Sequence, residues 1–134
     1  MILVSQIIKD MRSIYRIRHY DFMGYTIDSI KDISYHHIQK ASEGGPKTLE
    51  NGALLAKDTA HPYLHIIEDR DFDMYVYINK ILKEINTQQS HPTKEQLLAI
   101  RSVLLQFEKE HENDVTSGGK HLIRKSFIKE RIKL

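Results

Sequence analysis

The sequence predicts a mostly helical α+β domain with one small two-stranded hairpin packed among flanking helices. Three observations predict it. Apolar residues recur at helical spacing over several separate stretches. One central stretch, Ile33 to His37, alternates instead. A Gly-Gly-Pro turn then separates it from a short apolar run, Ala53 to Ala56. At 134 residues the chain has the length of one ordinary domain, and 1–134 is expected to form a single unit.

Val4, Ile7, Ile8, Met11, Ile14 and Tyr15 return every three or four residues, which predicts a first helix over 5–18. HYDFMGYT breaks the period, with Gly24 as its turn. Ile33, Tyr35 and His37 alternate with their neighbours, as in a strand. In SEGGPK, glycine admits positive φ and Pro46 removes a donor, so the chain turns. Ala53 to Ala56 make the second strand, and either Thr59 or His61 can cap the helix behind it. Pro62 is tolerated in that helix's first turn, where its missing N–H has no helical partner.

Phe72, Val76, Tyr77, Ile81 and Ile85 predict a helix over 71–87. Beyond the linker NTQQSHP, Thr93 with Gln96 three residues on reads as a capping box. It opens a helix over 93–113 with Leu97, Ile100, Leu104 and Phe107 as the apolar stripe. Asn113 to Gly119 interrupts the pattern. Ile123, Phe127 and Ile128 then predict a last, basic helix over 121–133.

Composition excludes several classes. Without cysteine there are no disulfides and no thiolate-bound zinc, so histidine and carboxylate are left as metal ligands. No apolar run approaches the ~18 residues that span a bilayer. The start, MILVSQIIKDMRS, lacks a leading positive charge and is interrupted by Lys9 and Asp10, so no signal peptide is expected. A cytoplasmic location and no membrane partner are the resulting expectations. The net charge of +2 does not by itself imply nucleic acid, but its distribution is uneven. Arg12, Arg16 and Arg18 lie near the start and Lys120, Arg124, Lys125, Lys129, Arg131 and Lys133 near the end, with acidic residues between them. Both ends can serve as basic arms towards phosphate; the plainer reading is a set of solvated helix faces.

The chemistry concentrates in Ser34 to Ile66. Four of the eight histidines lie there, as the pairs His36-His37 and His61…His65. Successive strand residues point to opposite sides, so His36 can hold a metal while His37 faces substrate. His61 and His65, at i and i+4, share one face of a helix and can converge on one ion. Three neutral imidazoles with water in the remaining positions make a recurrent catalytic metal set. His19, His91, His111 and His121 are expected at the surface. Taken singly, an HH pair or an HxxxH is weak evidence, and His61 beside Pro62 can be a helix cap alone.

In combination, His36-His37-Ile38, Ser42, Gly44-Gly45, Thr48, Asn51, Leu54-Leu55 and His61…His65 resemble the HNH nuclease family, whose site is a ββα-metal (His-Me) finger. The doubled histidine and HxxxH ending look most like its colicin-type DNase branch. The resemblance is confined to residues 34–66, within a finger core expected over 33–70; the flanking helices carry none of it.

The resemblance implies His36, His61 and His65 as metal ligands and His37 as general base. Asn51 is implied to brace the loop that aims the base, and in some members of the family this position reaches the metal. It also implies 3′-hydroxyl and 5′-phosphate products. This chain departs from the family in two ways. It lacks the two Cys pairs that bind a structural zinc in many members, and it carries His36 where many have Asp.

The expected function is therefore a metal-dependent endonuclease of a phage or mobile element. It would act on DNA, with RNA as the other substrate, through one divalent ion. The family's habit favours Mg²⁺ or Mn²⁺, whereas all-histidine ligation leans towards Zn²⁺, Ni²⁺ or Mn²⁺. An imidazole with its ordinary pKa of about 6.5 is largely neutral at pH 7 and can take a proton from water. Arg16, Arg18, Lys40, Lys47, Arg124 and Lys125 are the expected phosphate contacts, which position a substrate without reading its sequence. No recognition helix stands out, so specificity is expected to be low or supplied by a protein partner. Two other readings remain at this point: a metal finger that binds nucleic acid without cutting it, and a protein-interaction module with incidental histidines.

Overall fold

The computed structural model describes residues 4–134; the apolar start at residues 1–3 lies outside them. The chain is α+β and mostly helical, with a two-stranded antiparallel hairpin at its centre. Helix α1 (Gln6–Ile14) precedes strands β1 (Ile33–His37) and β2 (Gly52–Ala56). Helices α2 (Ala60–Arg70), α3 (Phe72–Gln88), α4 (Lys94–His111) and α5 (Lys125–Lys129) follow. The register sets Ile33 against Ala56, Tyr35 against Leu54 and His37 against Gly52. β2 is buried along its whole length, and α1, α2 and α3 all pack against it. Buried side chains from α1 to α5 form one cluster around it.

The loop between the strands is held by its own polar groups. Asn51 is buried at the end of a 3-10 turn. Its Oδ1 accepts from the Gln39 amide at 2.8 Å, and its Nδ2 donates to the carbonyls of Gln39 at 3.0 Å and Pro46 at 2.9 Å. The Tyr35 hydroxyl donates to the Thr48 carbonyl at 2.6 Å and accepts from the Thr48 amide at 3.0 Å. Gly44 sits at φ +85 in open space, whereas a Cβ on Gly45 would stand 1.9 Å from the Gln39 carbonyl oxygen and 2.9 Å from Asn51 Nδ2. Gly45→Ala must therefore move backbone and is expected to cost about 3 kcal/mol. Gly44→Ala, strained only by its φ, should cost about 1 kcal/mol. Chemical denaturation of the two variants checks this; equal costs would mean that the loop is not clamped on Asn51.

The helices differ from expectation in three places. α1 stops at Ile14 rather than running to 18. Tyr15 closes it, Ile17 N–H returns to the Arg12 carbonyl at 3.0 Å and Arg16 N–H to that of Ser13 at 3.3 Å. This is a Schellman ending with Arg16 at φ 54 in the left-handed position that glycine favours. In α3 the buried stripe is Tyr75, Ile78, Ile81, Leu82, Ile85 and Asn86. Phe72, Val76 and Tyr77 face outward, because α3 lies between α2 and α4 and turns its other face to them.

The basic helix expected over 121–133 reduces to Lys125–Lys129. Beyond it the chain pairs with the Gly24 turn: Ile132 N–H donates to the Gly24 carbonyl at 2.9 Å, and Thr26 N–H to that of Glu130 at 2.8 Å. Arg131 forks onto Glu108 with two bonds of 3.0 Å, and Glu108 also accepts from the Tyr63 hydroxyl at 2.7 Å. A planar bidentate pair of this kind positions strongly, so this part of the basic arm serves packing. The helix over 93–113 is α4, and its capping box is present: Gln96 N–H donates to Thr93 Oγ1 at 3.2 Å, and Thr93 N–H to Gln96 Oε1 at 2.9 Å.

Beneath the hairpin, Asp21 is fully buried and accepts from the amides of Met23 at 2.8 Å, Tyr25 at 2.9 Å and Ala56 at 2.6 Å. Burial pushes its carboxyl up to about 6, against those same bonds, which favour the charged form. It ties the Gly24 turn to the end of β2.

Candidate metal centre

Strand alternation and helix periodicity bring three histidines together. His36 and Ser34 leave β1 on the side of α2, and His61 and His65 stand one turn apart on α2. Ring centroids lie 5.6 Å apart for His36–His61, 5.9 Å for His36–His65 and 5.0 Å for His61–His65. One nitrogen from each falls within 4.8 Å of the other two, close enough for all three to hold one ion. His36 is buried, His61 half-buried and His65 exposed, so the group opens to solvent on the His65 side. The cleft there has a volume of about 330 Å³ and is also lined by His37, Lys40, Ser42, Glu68 and Tyr75.

Each imidazole has one nitrogen engaged by a neighbour, and this fixes which nitrogen stays free. Asn79 Nδ2 donates to the Ile38 carbonyl at 2.7 Å, which turns its Oδ1 towards His36 Nε2 at 2.9 Å. Nε2 must then carry the proton, leaving Nδ1 with the lone pair. Ser34 Oγ donates to the Leu55 carbonyl at 3.3 Å and accepts from His61 Nδ1 at 2.6 Å, leaving Nε2 free. Glu68 accepts from His65 Nδ1 at 3.2 Å, again leaving Nε2. Outer partners of this kind orient ligands and raise their basicity. The sequence reading missed Ser34, Glu68 and Asn79. Ser34 sits two residues from His36 on a strand, hence on the same face. Glu68 follows His65 by three on a helix. Asn79 lies four residues after Tyr75 on the buried stripe of α3.

Burial lowers the His36 pKa to about 4. The Asn79 bond opposes that, and His61 and His65 add to it. Burial likewise lowers His61 to about 4, helped by His65 and His37. Both rings are therefore neutral at pH 7, the form a metal ligand needs. Burial pushes Glu68 up, but its bonds to Lys40 and His65 outweigh burial and hold it below the usual carboxylate range. It stays charged beside the cluster, which has no other carboxylate in its cleft.

Replacing Asn79 by leucine removes the partner that orients His36 without touching a ligand. Metal affinity should fall about 10–100-fold. Calorimetric titration with Zn²⁺ checks this, and unchanged affinity would show that His36 needs no such support.

The other expected site residues fall into two groups. His37, at the end of β1, points to the α1 side with Tyr35, their rings 4.9 Å apart in an edge-on contact. It lines both the histidine cleft and a second cleft, of about 300 Å³, bounded by Lys31, Lys47 and Lys57. Asn51 braces the loop and bonds to Gln39 and Pro46, not to the cluster. Lys40 is at the rim, ion-paired with Glu68. Arg16 and Arg18 line a separate cleft beside α1.

Arg124 and Lys125 are not brought to the histidines. Arg124 lies over the Phe127 ring, and Phe127 stacks on Tyr63 at 4.6 Å. Tyr63 leaves α2 two residues from His61, on the opposite face. Of the histidines expected at the surface, His19, His91 and His121 are exposed; His111 is half-buried, 2.6 Å from Asp114 and stacked on Phe107. Among the described residues no helix is long and apolar enough to cross a membrane.

Comparison with family models, with curated proteins and with solved structures returns no match to this chain.

Proposed function

We propose that the protein is a metal-dependent endonuclease whose hairpin and α2 form a ββα-metal finger of the HNH kind, acting on DNA. One observation carries the reading. Three imidazoles converge from β1 and α2, and a fourth, His37, follows the first ligand and opens to the same cleft. A structural metal needs no such neighbour and no open side, whereas a hydrolytic site needs both.

His36, with His61 and His65, would hold the ion, each through the nitrogen its outer partner leaves free. All-imidazole ligation suits Zn²⁺, Ni²⁺ or Mn²⁺ better than Mg²⁺. When bound, the ion supplies charge stabilisation to the phosphate oxygens without a proton. His37 takes a proton from water, and the resulting hydroxide adds to phosphorus as the bond to the 3′ oxygen breaks, that oxygen taking a proton from solvent water. Asn51 keeps residues 38–46 folded behind His37, so the base holds its aim. Lys31, Lys47 and Lys57 line the cleft on the His37 side and offer positive charge to the strand.

Plasmid nicking with Mg²⁺, Mn²⁺, Zn²⁺ and Ni²⁺ in turn tests this. Nicks are expected with at least one ion, stopped by chelator, and leaving ends that a ligase reseals. Tight metal and DNA binding without nicks under every ion would replace the enzyme by a metal-finger binding module.

A further inference from the structure

A cleft larger than the one at the histidines lies elsewhere on the surface. It has a volume of about 770 Å³ and runs beside α1, with Lys9, Arg12, Arg16 and Arg18 on its wall against one carboxylate, Asp28, and with His19 at its edge. Its cations are arranged rather than scattered. Lys9 and Arg12 stand three apart on one stripe of α1, and Arg16 extends that stripe from just past the helix end.

Two details set this stripe apart from a solvated face. Arg16 holds the left-handed position of the Schellman ending at φ 54, where glycine would be unstrained. The fold thus gives up stability to keep a cation there. Arg12 buries its Nε without a hydrogen-bond partner.

A second cleft is built from sequence neighbours of the first. Along α1, Lys9 lines it while the adjacent Ile8 lines the Lys31–Lys47–Lys57 cleft; likewise Ile30 lines the first and Lys31 the second. That second cleft ends at His37, which it shares with the histidine cluster.

We infer that the stripe Lys9, Arg12, Arg16, together with Arg18, seats the phosphate backbone of duplex DNA flanking the scissile bond and delivers it to His37 past Lys31, Lys47 and Lys57. This rests on the nuclease reading for what happens at His37, but the seat itself requires only binding. A polyanionic backbone is the ligand that four cations lining one cleft against a single carboxylate match.

The test uses the full chain in a His37→Ala background with chelator present, so that cleavage cannot interfere. The probe is a short fluorescent duplex, read by anisotropy over a salt series. Replacing Arg12 and Arg18 by glutamine and Arg16 by glycine should lower the slope of log affinity against log salt by about one per residue removed. Arg124→Gln with Lys125→Gln, on the far side of α2, should leave the slope unchanged. Arg16→Gly alone separates lost charge from lost fold. It should raise Tm by about 4 °C while reducing the slope by about one.

An unchanged slope in the triple variant, an equal loss in the Arg124/Lys125 variant, or a lowered Tm for Arg16→Gly overturns the inference. So does binding to phosphatidylserine vesicles in place of the duplex. Wild-type nicking together with an indifferent α1 stripe sinks the seat and leaves the nuclease reading intact. Stripe-dependent duplex binding with no nicking under any ion does the reverse.

Discussion

His37→Ala should reduce plasmid nicking about 10²–10⁴-fold, the usual contribution of a positioned general base. It should leave the metal affinity nearly unchanged. The two effects separate because His37 points to the α1 side of β1, while His36, His61 and His65 meet on the other side. Its ring packs on Tyr35 and spans the mouth between two clefts, so its truncation opens space without uncovering the buried core. Single-turnover kinetics with metal at saturation, paired with a titration of the ion, reads both effects. If cleavage and metal affinity fall together, His37 acts through the ion's site and is not the base. Full activity in the variant would remove it from the mechanism.

Acid should disarm the metal centre and loosen the fold around it over one pH window. Burial holds His36 and His61 near a pKa of about 4, below the ordinary imidazole value of 6.5 that the unfolded chain regains. Between those values the unfolded chain binds protons that the folded chain refuses. The stability that these two rings carry is therefore whole above about pH 6.5 and drains as pH falls towards about 4. For His36, 3% exposed, the shift corresponds to on the order of 3 kcal/mol at the acid end. The more open His61 adds less.

Against a typical total of ~5–15 kcal/mol, such a loss is large. The midpoint of denaturant unfolding should fall across this window relative to that of His36→Leu. The comparison is needed because Asp21, pushed up to about 6, takes up a proton in the folded chain over the same range and works the other way. Saturating metal should hold the midpoint up to a lower pH, since the ion competes with protons for the same nitrogens. A gap between the two midpoints that does not change from pH 6.5 to pH 4 would mean that the histidines are not buried as described.

Much of the site could be read from the chain because local rules place it. A strand period puts His36 and His37 on opposite faces, a helix period puts His61 and His65 on one, and glycine chemistry turns the chain between the strands. The Thr93–Gln96 capping box is equally local. What the sequence hid depends on tertiary packing. In α3 two stripes satisfy the same helical period, one through Phe72, Val76 and Tyr77 and one through Tyr75, Ile78 and Leu82. Nothing in the spacing says that α2 and α4 take the second. Asn79 and Asn86 on that stripe even make it look polar. They bond to the carbonyls of Ile38, Leu49 and Gly52, contacts no local pattern encodes. The basic tail failed as a helix for a similar reason: the backbone of residues 130–132 found partners at the Gly24 turn, far away in sequence. Lys40, expected to meet phosphate, is paired with Glu68, the residue that also orients His65.

The claim beneath all of this is that His36, His61 and His65 grip a single cation and His37 does not. Native mass spectrometry of the chain with Zn²⁺ or Ni²⁺ at neutral pH, set beside four single alanine variants, tests it most directly. One ion per chain is predicted for the unaltered protein and for His37→Ala, with none retained in His36→Ala or His61→Ala and weakened retention in His65→Ala, the most exposed of the three. An unaltered protein that carries no ion, or a His36→Ala variant that keeps it, would contradict the account.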